Sequence, residues 1–163
     1  MPDDAEITRR FWKALRSDMT VMLGIGGDQS VAPRPMTAQL DGAADHGPIW
    51  FFAAQGAELT RALQAEQPAF FTFTAKGHDL WASVTGRLSE QSDRAVIDRL
   101  WSPFVAAWYD GGKEDPKLAL LRLDPAEAEI WTDGSTLLAG LKLLLGADPK
   151  ALRADSVAKV ALL

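Results

Sequence analysis

The chain has no cysteine. That excludes disulfides, thiolate nucleophiles and thiolate-held metals together, and it makes the cytoplasm the expected location. Histidine is nearly absent too: His46 and His78 sit far apart in loop-like stretches beside glycine, without the neighbours a metal site needs, and read as surface residues. No block of Lys and Arg is present to neutralise successive phosphates, and the net charge is −5, so nucleic acid is not an expected partner. Long apolar runs are missing as well. The longest, Leu137 to Leu145, is interrupted by Lys142, and Asp3, Asp4 and Glu6 precede the first apolar segment, so neither a membrane span nor a secretory signal is expected. Nor does the chain carry a Walker loop, a Gly-x-Gly-x-x-Gly after a strand, or a Gly-x-Ser-x-Gly elbow. A self-contained catalytic constellation is therefore absent, and redox chemistry would need a borrowed cofactor.

What is present is the composition of one soluble globular domain over residues 1–163, with 47% hydrophobic and 24% charged residues. Ile7, Phe11, Ala14 and Leu15 form one apolar stripe at helical spacing, opposite Arg9, Arg10, Lys13 and Arg16. Strands are expected at Met19–Ile25, ending in Gly26-Gly27-Asp28, at Pro33–Asp41 and at Ile49–Ala54. Leu59, Ala62 and Leu63 then mark a short helix stopped before Pro68. Phe70–Ala75 and Leu80–Leu88 read as a hairpin about Lys76–Asp79; a helix over Ser92–Trp101 with a serine cap follows. Two strands, Lys117–Leu123 and Ala126–Thr132, joined at Asp124-Pro125, and a helix over Leu137–Leu145 complete the pattern, which assigns nothing to the tail 146–163. Six or seven short antiparallel strands with flanking helices fit a mainly β, closed or nearly closed barrel.

Six tryptophans in one small domain call for an explanation. Trp12 and Trp101 fall on apolar helix stripes and belong to a core. Trp81 instead shares a strand face with Ser83, Thr85 and Arg87, where a monomer avoids exposing a large ring, and this points to a dimer interface or a planar ligand.

The string Pro33-Arg34-Pro35-Met36-Thr37-Ala38-Gln39, then Trp50-Phe51-Phe52 and Leu100-Trp101-Ser102-Pro103, resembles the general stress protein branch of the pyridoxamine phosphate oxidase-like superfamily. Ala107-Trp108-Tyr109 before a double glycine, Asp115-Pro116, and Ala128-Glu129-Ile130-Trp131 extend the resemblance, which covers about residues 5–145. The marks are specific together and in order, and weak singly.

The resemblance implies an FMN-binding split-barrel homodimer, with flavin mononucleotide, or FAD or another flavin-like cofactor, at the subunit interface. By position Arg34 would meet the flavin phosphate with its planar guanidinium, a surface ion pair being its bland alternative. Backbone groups of Met36 to Gln39 would read the ring edge, with Thr37 adding a hydroxyl. Phe51, Phe52 and Ala53 would run beside the ring or the phosphate end, and Trp81 and Trp131 would pack at the flavin; core packing explains Phe51 equally well. The sequence departs from the family where a hydroxyl and a basic residue usually meet the phosphate, reading Ala53, Ala57, Glu58 and Leu59 instead. An anionic Glu58 there would cost binding energy unless it points away, with Thr60 or Arg61 as substitutes. Thr132 to Leu137 also lacks the Arg-Leu-His-x-Arg motif of the true oxidases, which argues against vitamin B6 oxidation. The expectation is a flavin-dependent oxidoreductase with an unidentified small-molecule redox partner, the alternatives being a non-catalytic flavin binder or sensor and a scaffold dimer with a degenerate site.

Overall fold

The structure is a computed structural model that describes residues 3–27, 31–63, 65–132, 144–146 and 157–162. Helix α1, Asp4–Asp18, opens the chain: the Asp3 carboxylate accepts from the Glu6 N–H at 2.7 Å, and Ile7, Phe11, Trp12 and Leu15 turn inward. Met19, at positive φ, closes the helix and sends the chain into β1, Thr20–Ile25.

The region expected as one strand over Pro33–Asp41 is two short ones. Strand β2, Arg34–Thr37, pairs with β1, whereas β3, Gln39–Leu40, pairs with β4, Ile49–Ala54. Between them Ala38 is buried and gives its N–H to the Met19 carbonyl at 2.6 Å, so the chain changes partners at one residue. A short helix α2, Glu58–Ala62, leads to β5, Gln67–Thr74, and to β6, Leu80–Gln91. The expected hairpin is formed, in register from Thr74 opposite Trp81.

Helix α3 runs from Arg94 to Leu100, later than expected, and its cap is Asp93 rather than Ser92. The Asp93 carboxylate accepts from two N–H groups, those of Ala95 and Val96, which a hydroxyl at position 92 is one residue too early to reach. Ser102 and Pro103 lie just past the end of this helix and start another: Ser102 Oγ caps α4, Pro103–Ala106, with proline at its first turn.

The two strands expected over Lys117–Leu123 and Ala126–Thr132 are a single one, β7, Leu118–Thr132. Asp124-Pro125 is passed without a turn. The partner strand has Gly86 opposite Pro125, and Thr85 is next in register with Glu127, so Ala126 is the extra residue of a bulge. A side chain at Gly86 would overlap the Asp124 carbonyl. The tail supplies an element that the pattern did not announce: β8, Val157–Ala161, pairs with Glu127–Trp131 of β7 and buries Ala158, Val160 and, just beyond the strand, Leu162. The expected helix over Leu137–Leu145 lies almost wholly outside the described residues.

The strands form one antiparallel sheet in the order β2-β1-β5-β6-β7-β4-β3, with β8 beside the second half of β7. The ends of that path, β2 and β3, are consecutive in the chain and separated by Ala38 alone, so the sheet must curl until its ends meet. This is a mainly β split barrel. Phe11, Leu23, Phe51, Phe71, Val84, Leu121 and Ile130 fill its interior, and a smaller outer cluster gathers Trp50, Val96, Ile97 and Leu120.

Candidate functional site

Where the two ends of the sheet meet, a cleft of about 350 Å³ opens between β2, β3, β4, the start of α2 and the α4 segment. That volume lies at the low end of the roughly 300–1,000 Å³ typical of small-molecule sites. One wall is strand, with Arg34, Met36, Thr37 and Gln39 on one side and Phe52, Ala53 and Ala54 on the other; Phe104, Val105, Trp108 and Tyr109 form the cover. Gln39 is in register with Trp50, two residues before Phe52, so Gln39 and Phe52 share the sheet face away from the core.

The cleft's titratable lining is sparse. Among the described residues Arg34 and Tyr109 are the two such side chains on it, and each makes one bond. Tyr109 is buried, and its hydroxyl donates to the Ala53 carbonyl oxygen at 2.7 Å. Burial, with the nearby Asp115 carboxylate as the lesser cause, pushes the phenol up to about 12. Asp115 in turn accepts from the Gly111 and Lys117 N–H groups, both at 2.9 Å, and these bonds hold its carboxyl below the usual carboxylate range.

Arg34 Nη2 pairs with Glu58 Oε2 at 3.0 Å. The pair is half open to water, the Glu58 side chain being 55% exposed, so its contribution is about 0–1 kcal/mol and an incoming anion can displace it. Arg34 Nε, meanwhile, is buried with no partner among the described residues. Such a donor is an orphan that a bound anion or hydrogen-bonding group would satisfy.

Of the residues singled out from sequence, the structure brings Arg34, Met36, Thr37, Gln39, Phe52 and Ala53 to this one cleft. It does not bring Phe51, Trp81 or Trp131 there. Phe51 is fully buried and points into the barrel core, because it alternates with Phe52 along β4. Trp81 and Trp131 stand opposite each other on β6 and β7, next to Val157 of β8, as a row on the outer sheet face. Of the departures from the family pattern, Ala57 and Leu59 line the cleft, and Glu58 turns to Arg34. Phe104 was missed. It is 62% exposed, and Trp108 is 76% exposed; that openness is set by tertiary packing, so no local pattern announced it.

The model of the family described as pyridoxamine 5'-phosphate oxidase like matches residues 6–148. Among solved structures, a protein assigned to a general stress family from Xanthomonas campestris pv. campestris is 56% identical, with a TM-score of 0.76, over 90% of this chain and all of its own. The general stress FMN/FAD binding protein from Xanthomonas citri is 54% identical with a TM-score of 0.75, over 87% of this chain and 99% of that one. General stress protein 26 of Bacillus subtilis is 28% identical over 40% of this chain; the match spans 46% of that protein, under half its length.

Proposed function

The chain belongs to the pyridoxamine 5'-phosphate oxidase-like family, in its general stress protein branch, and from that premise we propose that it is a cytoplasmic flavin-binding homodimer that holds FMN in the cleft between β2, β3, β4 and α4. The observation that carries this reading is the lining itself. An apolar slot lined by Met36, Phe52 and Tyr109 also carries the hydroxyl of Thr37, the amide of Gln39 and, among the described residues, a single guanidinium, that of Arg34. A flat, amphipathic ring with a polar rim and an anionic tail is the kind of ligand such a slot complements. The described residues fit the ring better than the tail, since the anion would rely on Arg34 and its unpartnered Nε while Ala53, Ala57 and Leu59 offer no side-chain donor. The Xanthomonas citri relative, an FMN/FAD binding protein, supports a flavin as the ligand.

In this reading Arg34 holds the anionic end, Thr37 and Gln39 orient the ring edge, and Phe52 with Trp108 and Tyr109 excludes water from its faces. Flavin would supply reversible one- and two-electron transfer to a small molecule, while the chain supplies position and electrostatics. A second copy would cover the exposed rings of Phe104 and Trp108 and the Trp81–Trp131–Val157 row.

One observation favours a non-catalytic binder or sensor over an oxidoreductase: among the described residues the cleft presents no free acid or base, its guanidinium and its phenol each making a bond. The test is titration of the purified chain with FMN, and separately FAD, followed by flavin fluorescence and tryptophan quenching. Saturable binding supports the flavin reading, and turnover of a reduced nicotinamide by the loaded protein then selects the oxidoreductase. Absence of binding moves the function to a scaffold dimer with a degenerate site.

A further inference from the structure

We infer that Trp101 is a positioning residue for the cleft: its ring, itself outside the cleft, is a spacer that fixes the Tyr109 cover relative to the Phe52 wall. The inference rests on the flavin reading for what the slot holds and goes beyond it to what sets the width of the slot.

Trp101 does not line the cleft, yet it packs against two rings that do. It meets Phe52 edge to face, with centroids 6.0 Å apart and planes at 86°, and lies tilted against Tyr109 at 6.2 Å and 39°. The Tyr109 hydroxyl closes the triangle, since it donates to the carbonyl of Ala53, the residue after Phe52. The backbone of Trp101 is held on both sides because it stands at the junction of α3 and α4. Its N–H donates to the Ile97 carbonyl at 2.9 Å, and the next residue, Ser102, caps α4. Helix α3 is fixed in its turn. Val96 and Ile97 pack with Trp50 and Leu120, Arg99 pairs with Asp41 just past β3 at 2.8 Å, and Asp98 accepts from Lys113, beyond the cover, at 2.9 Å. An indole turns about only two side-chain torsions, so a ring anchored in this way passes the position of α3 on to Phe52 and Tyr109 together. A slot whose faces already stand at the right separation loses less freedom when a flat ligand enters, and binds it more tightly. The same contact shields the Tyr109 phenol from water, and burial is the larger cause of its raised ionisation, ahead of Asp115.

The test uses the full chain and four variants. Trp101→Leu and Trp101→Met keep apolar bulk but remove the ring, Trp101→Phe keeps a ring, and Val96→Ala loosens α3 at a buried residue that does not line the cleft. FMN dissociation constants come from flavin fluorescence, and ionisation of Tyr109, the chain's only tyrosine, from tyrosinate absorbance, with circular dichroism confirming the fold at each pH. The ring-free variants should weaken FMN by about tenfold. They should also bring the Tyr109 ionisation down from about 12 towards the ordinary value near 10. Trp101→Phe should recover most of both, and Val96→Ala should lower the melting temperature while moving neither. Ring-free variants that match the native chain in both readouts, or equal changes in Val96→Ala, overturn the inference and leave flavin binding intact. If the native chain binds no FMN, the flavin reading falls by itself and the titration decides: a Tyr109 that still ionises near 12 without the Trp101 ring overturns the inference, and a lowered value upholds it.

Discussion

Tyr109 joins the cover of the cleft to its strand wall, since its hydroxyl donates to the Ala53 carbonyl oxygen at 2.7 Å. Its phenol is the chain's only one, so its titration can be followed without ambiguity by tyrosinate absorbance. In the unfolded chain it ionises near 10 and in the folded protein near 12. The folded state therefore holds the proton more tightly: the stabilisation is complete below pH 10 and is lost as pH rises from 10 towards 12. Urea unfolding across that window should show stability falling in the native chain, and Tyr109→Phe should flatten the fall. At neutral pH the same substitution should cost about 0.5–1.5 kcal/mol for the lost hydrogen bond. An unaltered alkaline profile would remove Tyr109 as its source. At this scale the sequence marks which residues are unusual, such as Trp108-Tyr109 before a double glycine, but not whom they touch. Tyr109 and Ala53 are 56 positions apart, and Arg34 meets Glu58 across 24.

At the scale of elements, local pattern was a good guide wherever one face of a strand or helix was buried. Strand β4 occupies Ile49–Ala54 as expected, and β6 alternates Leu80, Ala82 and Val84 inward with Trp81 outward. Pattern failed where a neighbouring strand overruled a local signal. Asp124-Pro125 is a turn signal in isolation, yet β7 runs through it because Gly86 on β6 leaves room for the Asp124 carbonyl and Ala126 takes up the extra residue. Gly86→Ala should therefore destabilise the protein by about 1–3 kcal/mol in equilibrium unfolding, since a methyl group there is forced against backbone. A neutral result would mean that the bulge can shift register. Strand β8 was missed for the complementary reason: its alternation is short and has a buried face only when β7 and α1 are present to receive it.

For the whole molecule, the proposed dimer turns on rings that one copy leaves uncovered, Trp108 at 76% exposure and Phe104 at 62%. If two copies bury them, mass action requires the melting temperature to rise with protein concentration, and light scattering should give twice the monomer mass. A melting temperature constant over a hundredfold range of concentration, about the span that resolves such a shift, would argue for a monomer. No helix among the described residues is long and apolar enough to cross a membrane. The family and the split barrel are legible in the sequence itself, through ordered motifs from Pro33 to Trp131. Amphipathic periods fixed the faces of the strands, because side-chain alternation depends only on neighbours in the chain. The tertiary structure alone decided that β2 and β3, one residue apart, are opposite ends of the sheet and must be brought together by its curl. It also decided that Phe52 faces the cleft while Phe51 fills the core, and that Glu58 answers Arg34. Those are long-range choices of partner, set by how the whole chain packs, and no local period encodes them.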